Sequence, residues 1–163
     1  MQPEGSRPQM PVGYGIESEL THEMVPWSAV SDQLAGARNY WIVTASPTGR
    51  PHAMPVWGLW LDEAFYFSTD PSSRKGRNLA ANPRLVVHLE SGDDVVILEG
   101  AAERLGGESV PPGFADAYEA KYGFRFDPSD PALGIYRLRA RVAFAWREAD
   151  FPKSATRWRF GGG

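Results

Sequence analysis

The sequence of 163 residues contains no cysteine and no long apolar run. Without cysteine the chain cannot form a disulfide, a thiolate metal site or a cysteine nucleophile. No apolar run approaches the roughly 20 residues of a membrane-spanning helix. The N-terminal residues also lack the apolar core of a signal peptide. We therefore expect a cytoplasmic protein that makes no membrane contacts.

A strong net charge is also missing. The chain has 17 Lys and Arg residues against 20 Asp and Glu, a net charge of -3, so nothing in the overall charge favours nucleic acid. Any anion-binding site must therefore be local. The histidines, His22, His52 and His88, have no carboxylates at metal-ligand spacing, and no metal site is predicted. Motifs of a nucleophile elbow, a phosphate loop or a dinucleotide fold are lacking, and no catalytic residue can be named.

The predicted elements indicate a mainly β, α+β protein of one domain. Residues 1–15 are rich in Pro and Gly and are expected to be a flexible arm, and residues 16–160 form the domain. β-branched and aromatic composition predicts six strands, at 40–45, 51–61, 64–69, 85–89, 95–105 and 135–146. Helices are predicted at 17–37 and 111–124, with a short third one before Asn82-Pro83. Short hairpins between the strands favour an antiparallel barrel with peripheral helices over an α/β fold.

The stretch from 67 to 83 (FSTDPSSRKGRNLAANP) combines hydroxyl groups, cations and a helix start. It runs from the third predicted strand through a small polar turn into the short helix. Backbone N–H groups at a helix start, hydroxyls and a basic cluster together suit a phosphate. Taken alone, the same residues are also typical of a solvated first helical turn.

Three stretches carry a family resemblance through their order and spacing. They are WIVTASPTGRPHAMPVW (41–57), FYFST (65–69) and SRKGRNLAANP (73–83). In this order they resemble the pyridoxamine 5'-phosphate oxidase-like FMN-binding split barrels, and most of all the flavin/deazaflavin-dependent oxidoreductases. The resemblance covers about residues 27–106. It implies a six-stranded antiparallel split β-barrel, a homodimer, and two cofactor sites at the subunit interface.

The resemblance also implies which residues bind the cofactor. Those along the ring would be Met54, Pro55, Val56, Trp57 and Gly58. Those at the phosphate end would be Ser68, Thr69, Ser73, Arg74, Lys75, Arg77 and Asn78. The tail residues Arg157 and Trp158 would close over the cofactor. Three alternatives stay open: Val56 or Trp57 packs in the core, Arg77 is only solvated, and Trp158 only packs against the partner subunit.

Two departures from the family pattern narrow the expected activity. Met54 and Val95 stand where the vitamin B6 oxidases have an arginine and a glutamine, which argues against that reaction. We expect an oxidoreductase that transfers a hydride between a small organic substrate and coenzyme F420, with FMN as the alternative cofactor. A bound flavin or deazaflavin carries the hydride itself, so no dedicated acid or base is required. The competing hypothesis is a non-catalytic flavin- or haem-binding protein, with His52 or His88 as candidate haem ligands.

Overall fold

The structure is a computed structural model that describes residues 2–16, 23–127 and 129–161. Within these ranges the chain forms nine strands and four α-helices. The strands are β1 (Glu4–Ser6), β2 (Tyr40–Ala45), β3 (Pro51–Val56), β4 (Gly58–Leu61), β5 (Ala64–Thr69), β6 (Arg84–His88), β7 (Asp94–Leu105), β8 (Gly134–Arg147) and β9 (Thr156–Arg159). The helices are α1 (Trp27–Gly36), α2 (Arg74–Ala81), α3 (Phe114–Tyr122) and α4 (Phe151–Ser154). In the described part of the chain, none of these helices has the length and apolar character needed to cross a membrane.

All strands belong to one antiparallel sheet that is organised around β8. The main path runs β1-β9-β8-β7-β6-β2-β3. The first part of β8 pairs with β5, whose other neighbour is β4, and its later part pairs with β9. Within the described ranges the ladder does not close, because β3 pairs with β2 alone and β4 with β5 alone. The antiparallel β plan is thus confirmed, as an open sheet that is split between β3 and β4.

The strand count differs from the prediction of six. The second predicted strand, 51–61, is divided at Trp57 into β3 and β4. Next to the break, Gly58 pairs with Phe67 of β5 and its N–H bonds the Tyr122 hydroxyl, 2.9 Å away. β1 and β9 are additional and pair with each other, Gly5 opposite Trp158. The composition of these two segments did not predict strands, because they form through pairing with other strands and not through local propensity.

The core lies on both faces of β5. One face carries Phe65 and Phe67, which pack in the main core with residues from β2, β6, β7 and β8. The other face carries Ala64 and Tyr66, which α3 covers with Phe114. Burial on both faces explains why β5 reads as a continuous apolar run.

The three predicted helices are present, and the two that were predicted with bounds are shorter. α1 begins at Trp27, after an extended Pro26 (φ -74°, ψ 147°), and residues 17–22 of that prediction lie outside the described part. α3 is bounded by Gly113 and Gly123, which both adopt left-handed backbone (φ 79° and 71°). Glycine adopts that conformation at little cost, so these two residues end the helix inside the predicted range.

Candidate functional site

The start of α2 is held by hydrogen bonds within the β5–α2 connection. Ser73 caps the helix, since its Oγ accepts the Gly76 N–H at 3.1 Å, and the same Oγ lies 3.1 Å from Thr69 Oγ1. The Asp70 carboxylate accepts from the N–H and the Oγ of Ser72 at 2.7 and 2.8 Å. These bonds from Ser72 lower the pKa of Asp70. The connection therefore keeps its shape without a ligand and presents the first helical turn.

Arg74 and Lys75 are two half-buried cations at this turn. Among the described residues neither has a carboxylate within ion-pairing distance. The pKa of His52 on β3 is lowered, first by partial desolvation and then by the charges of Arg74 and Lys75. The cations of α2 thus lie near the beginning of β3, although more than 20 positions of sequence separate them.

Arg77 and Asn78 have partners within the chain. The Arg77 guanidinium donates to the Ser72 carbonyl oxygen at 2.8 Å. Asn78 is buried, and its Nδ2 donates to Thr44 Oγ1 on β2 at 3.0 Å. Asn78 therefore ties α2 to the sheet, while Arg77 braces the connection that carries Ser72.

Ser68 and Thr69 lie on opposite faces of β5. Ser68 pairs with Ile135 and shares a face with Tyr66, whereas Thr69 faces Ser73. The Ser68 Oγ is buried and has no hydrogen-bond partner among the described residues. A buried hydroxyl without a partner is uncommon, so this oxygen is free to bond a ligand or a water. Within this pair, only Thr69 belongs to the hydroxyl cluster at the helix start.

The predicted ring segment is an exposed sheet edge. β3 pairs with β2 on one side, Met54 opposite Ile42 and Val56 opposite Tyr40. Its other edge has no strand partner within the described ranges. Backbone groups on a free edge can bond a polar ring edge. Met54 is 42% exposed, while the half-buried Val56 packs against the core.

Trp57 leaves the strand and stacks on α3, a contact that sequence reasoning did not identify. Its ring lies parallel to that of Tyr122, with a centroid distance of 4.7 Å and an interplanar angle of 9°. The Tyr122 hydroxyl accepts the Gly58 N–H and lies 2.8 Å from the carbonyl oxygens of Arg38 and Gly58. The Arg38 guanidinium lies 5.5 Å from the Trp57 centroid. Only the aromatic character of the predicted helix hinted at this cluster.

Lys121 binds the same strand break from the end of α3. Its Nζ donates to Tyr40 Oη at 2.7 Å and to the carbonyl oxygens of Gly58 and Ala35 at 3.1 and 3.3 Å. Burial lowers the pKa of Lys121 to about 8. The lysine thus connects α3 to the end of α1, to β2 and to β4.

The two tail residues have different positions. Trp158 is 2% exposed, and its ring packs 5.3 Å from that of Trp27 in the core. This burial contradicts the expectation that Trp158 only packs against a partner subunit, while its contact with a cofactor stays a prediction. Arg157 is half-buried on β9 opposite Phe144, and its Nε has no hydrogen-bond partner among the described residues. Of the two, Arg157 remains available to a ligand.

The other candidate features lie apart from these residues. His88 on β6 stacks against Trp41, with its Nδ1 2.7 Å from the Leu89 carbonyl oxygen. A surface groove of about 680 Å³ crosses β2, β6, β7 and β8, and none of the predicted cofactor residues lines it. The described part of the chain holds no cluster of side chains suited to a metal ion.

Curated proteins with similar sequences are pyridoxine/pyridoxamine 5'-phosphate oxidases. The chain is 39% identical over 82 residues to that of Gluconobacter oxydans, covering 48% of this chain and 38% of the relative. It is 36% identical over 101 residues to that of Anaeromyxobacter dehalogenans, covering 60% and 46%. The chain therefore spans less than half the length of these two relatives.

Solved structures share the fold at low sequence identity. The conserved hypothetical protein Rv2991 of Mycobacterium tuberculosis superposes with a TM-score of 0.63 at 24% identity, covering 76% of this chain and 86% of that one. An F420 reductase gives 0.54 at 20% identity, covering 69% and 94%. A heme binding protein of Mycobacterium smegmatis gives 0.56 at 20%, covering 76% and 55%.

The family model of pyridoxamine 5'-phosphate oxidase matches residues 27–147, from the start of α1 to the end of β8. This range contains β3, the start of α2 and α3, and so nearly all the residues described above. The match covers well over half of the chain. The chain belongs to the pyridoxamine 5'-phosphate oxidase family.

Proposed function

We propose that this protein is an oxidoreductase that binds a flavin or deazaflavin between α2 and β3. The observation that carries the proposal is the pair of unpaired cations, Arg74 and Lys75, whose charges reach His52 on β3. Two adjacent cations without a carboxylate partner suit a doubly charged anion, to which each can donate a charge-assisted hydrogen bond. A phosphate on the cofactor would be that anion.

The start of α2 would hold the phosphate. Arg74 and Lys75 would each make a charge-assisted hydrogen bond, which is stronger than a neutral one. The Thr69 and Ser73 hydroxyls lie together beside these cations and add donors. The N-terminal end of α2 contributes its free N–H groups and the positive end of its dipole. Arg77 has a weaker case, because its guanidinium already bonds the Ser72 carbonyl.

The free edge of β3 would hold the ring. Backbone groups from Met54 to Trp57 would bond the polar ring edge, and the exposed Met54 side chain would cover part of its apolar surface. Gly58 has a weaker case, because its N–H and its carbonyl are already bonded by Tyr122 and Lys121. The bound ring supplies the hydride chemistry when it is present. The chain's own contribution is to fix the ring's position and to exclude water. Arg157 is a further candidate for the anionic parts of the ligand.

Coenzyme F420 is our preferred cofactor over FMN, with a small organic molecule as substrate. Met54 and Val95 replace the two polar residues expected of a vitamin B6 oxidase, which disfavours that reaction. The F420 reductase among the solved structures has the same fold, so the fold is compatible with a deazaflavin. The preference also follows the resemblance of residues 41–83 to the deazaflavin-using branch.

We further propose that the protein acts as a homodimer. The sheet carries a row of half-buried apolar side chains, Trp41, Ile97 and Phe144. Together with His88 they lie opposite one another on neighbouring strands. A continuous apolar face of this kind is typical of an interaction surface. A second copy that covered it would also bring new side chains towards the cofactor.

Titration of the purified protein with FMN and with coenzyme F420, followed by fluorescence quenching, tests the proposal directly. We expect dissociation constants in the micromolar range or below for one of the two. Failure of both to bind would refute the proposed function. Sedimentation of the same samples tests the dimer independently.

A non-catalytic binding protein is the competing function, and turnover separates the two. An enzyme would reoxidise its reduced cofactor with an organic acceptor, whereas a sequestering protein would bind the cofactor and leave it reduced. A haem-binding role has less support, because only the shared fold of the heme binding protein favours it. A Soret band after haem addition, lost in His52→Ala or His88→Ala, would restore it.

A further inference from the structure

The groove across β2, β6, β7 and β8 lies on the sheet face that points away from the main core. Successive strand residues alternate between the two faces of a sheet. Val87 and Leu98 are buried in the main core, so their neighbours Val86 and Glu99 point to the other face. Glu99 lies opposite Val86 on β6 and opposite Val142 on β8. The floor of the groove therefore consists of half-buried valines with one carboxylate between them.

A β-bulge adds Arg141 to this face. The pairing between β7 and β8 shifts register after Glu99, and Arg141 is the extra residue without a partner on β7. Gly100 allows the close approach of the strands there, because a Cβ would lie 2.6 Å from the Arg139 carbonyl oxygen. The Arg141 carbonyl oxygen accepts the Phe160 N–H at 3.0 Å. A bulge re-aims a side chain, and Arg141 is exposed and lines the groove with Glu99.

The charges of the groove are not paired within the described part of the chain. Among the described lining residues, Glu99 is the one acidic side chain, and Arg84 and Arg141 are the cations. None of the ion pairs of the described residues includes any of the three, and all three are exposed in a single copy. A partner that covered the groove would have to match both signs, because charges that leave water need partners.

A second copy of the chain meets this requirement. In a dimer with a twofold axis every contact occurs twice, so residue i of one copy meets residue j of the other, and j meets i. A face that carries one carboxylate beside arginines can then match both signs with itself, whereas a polyanion would leave Glu99 unmatched. The groove also adjoins the apolar row proposed for the homodimer, since Glu99 follows Ile97 by two residues on the same face of β7.

We infer that Glu99 and Arg141 form two reciprocal salt bridges between two copies of this chain. The Glu99 carboxylate of each copy contacts the Arg141 guanidinium of the other, and the same contact covers the floor of the groove. Arg84 is the first residue of β6, whereas Glu99 and Arg141 lie within the central strands β7 and β8. Other registers of the two sheets would bring like charges together, so the bridges also fix the register. The inference rests on the homodimer of the proposed function and not on its cofactor.

Charge reversal and mixing test the bridges. Glu99→Arg and Arg141→Glu are examined separately and as an equimolar mixture, and dimerisation of the full chain is measured by sedimentation equilibrium. Like charges would face each other in the dimer of either variant, so each should dimerise more weakly than the wild type by more than about tenfold. The mixture should form a heterodimer with about the wild-type affinity, because each of its two bridges again joins an acid to a base. Recovery would also show that both variants fold.

The mixture separates bridges between copies from bridges within one copy. If Glu99 and Arg141 paired only within each chain, both variants would keep their like charges after mixing and no heterodimer would be recovered. Absence of recovery therefore overturns the inference. Recovery by Arg84→Glu, and not by Arg141→Glu, in a mixture with Glu99→Arg would overturn it as well, since the partner would then be Arg84.

Arg104→Glu is the matched control. Arg104 is an exposed arginine of β7 that lies opposite Tyr136, a residue of the main core, and it therefore belongs to the other face of the sheet. An equimolar mixture of Arg104→Glu with Glu99→Arg should not recover the dimer. Recovery in this control would mean that general charge attraction is sufficient, and it would overturn the specific pair.

Titration of the wild type with FMN and coenzyme F420 keeps this result separate from the proposed cofactor site. If a cofactor binds and the wild type stays monomeric, the cofactor site stands and the salt bridges are overturned. If the wild type dimerises and the mixture recovers the dimer while neither cofactor binds, the salt bridges stand and the proposed cofactor chemistry fails.

Discussion

Lys75 at the start of α2 and Lys121 at the end of α3 are chemically identical cations with opposite surroundings. Lys121 donates to a hydroxyl and two carbonyl oxygens within the chain, and burial lowers its pKa to about 8. Lys75 lies beside Arg74 with no carboxylate partner among the described residues. The first lysine has its partners within the fold, and the second has no carboxylate partner among the described residues. The candidate site is therefore distinguished by cations that lack bonding partners, and not by the residue type.

Gly58→Ala should have the largest effect and would disrupt the region around Lys121. A Cβ at this position would lie 2.4 Å from a ring carbon of the buried Phe65 and 2.8 Å from the Tyr66 carbonyl oxygen. We expect a loss of about 1–3 kcal/mol in the free energy of unfolding, measured in urea. Gly92→Ala is the control, since no atom lies within 4 Å of a Cβ there. Similar stability of the two variants would contradict the close packing of the strand break.

Lys75→Ala and Lys121→Met should separate binding from stability. Loss of a charged phosphate contact in Lys75→Ala should weaken cofactor binding by about 1.5–3 kcal/mol, measured by fluorescence titration. Its free energy of unfolding should change by less than about 0.5 kcal/mol. Lys121→Met should instead lower stability. Lys153→Ala, at the exposed lysine paired with Glu23, is the control for binding. The comparison fails if Lys75→Ala binds cofactor like the wild type.

The pH dependence of stability should differ between the wild type and Lys121→Met. The pKa of Lys121 is lowered by burial from 10.5 to about 8, so the unfolded chain holds the extra proton between these values. The free energy of unfolding of the wild type, relative to Lys121→Met, should therefore rise from about pH 7 to about pH 9.5.

The upper limit of that pH range follows from the tyrosines nearby. Burial raises the pKa of Tyr40, Tyr118 and Tyr122 above 10, so their contribution to stability is lost only at higher pH. Urea unfolding at several pH values is the measurement. A constant difference between the two proteins would mean that Lys121 is not desolvated.

The smallest expected effect is a rise in the pKa of His52 on cofactor binding. Desolvation and the charges of Arg74 and Lys75 lower this pKa in the free protein. A phosphate dianion would offset the cationic contribution, which we expect to raise the pKa by less than about one unit. NMR titration of the imidazole signals measures it. The rise should be reduced in Arg74→Ala, and a pKa that falls on binding would place the phosphate elsewhere.

The strand order and the α2 region followed from local signals. β-branched and aromatic composition located β2 to β8, with β3 and β4 predicted as one strand, and the hydroxyls before Arg74 and Lys75 indicated a basic helix start. The resemblance then supplied the family, which the model match confirms. The roles of individual residues were harder to predict from the sequence. Trp158 was expected at a surface or a cofactor, and it is buried beside Trp27 because β9 pairs with β8.

The sequence by itself determined the family, the antiparallel β plan and the chemical types at the start of α2. These features depend on local propensities, caps and the order of motifs, all of which involve residues that are close in the sequence. Only the tertiary structure decided which cations are already satisfied. Lys121 meets Tyr40 and Gly58 across 81 and 63 positions of sequence, and Arg74 and Lys75 meet no carboxylate. Such long-range contacts arise from how the strands and helices pack, and no local sequence pattern predicts them.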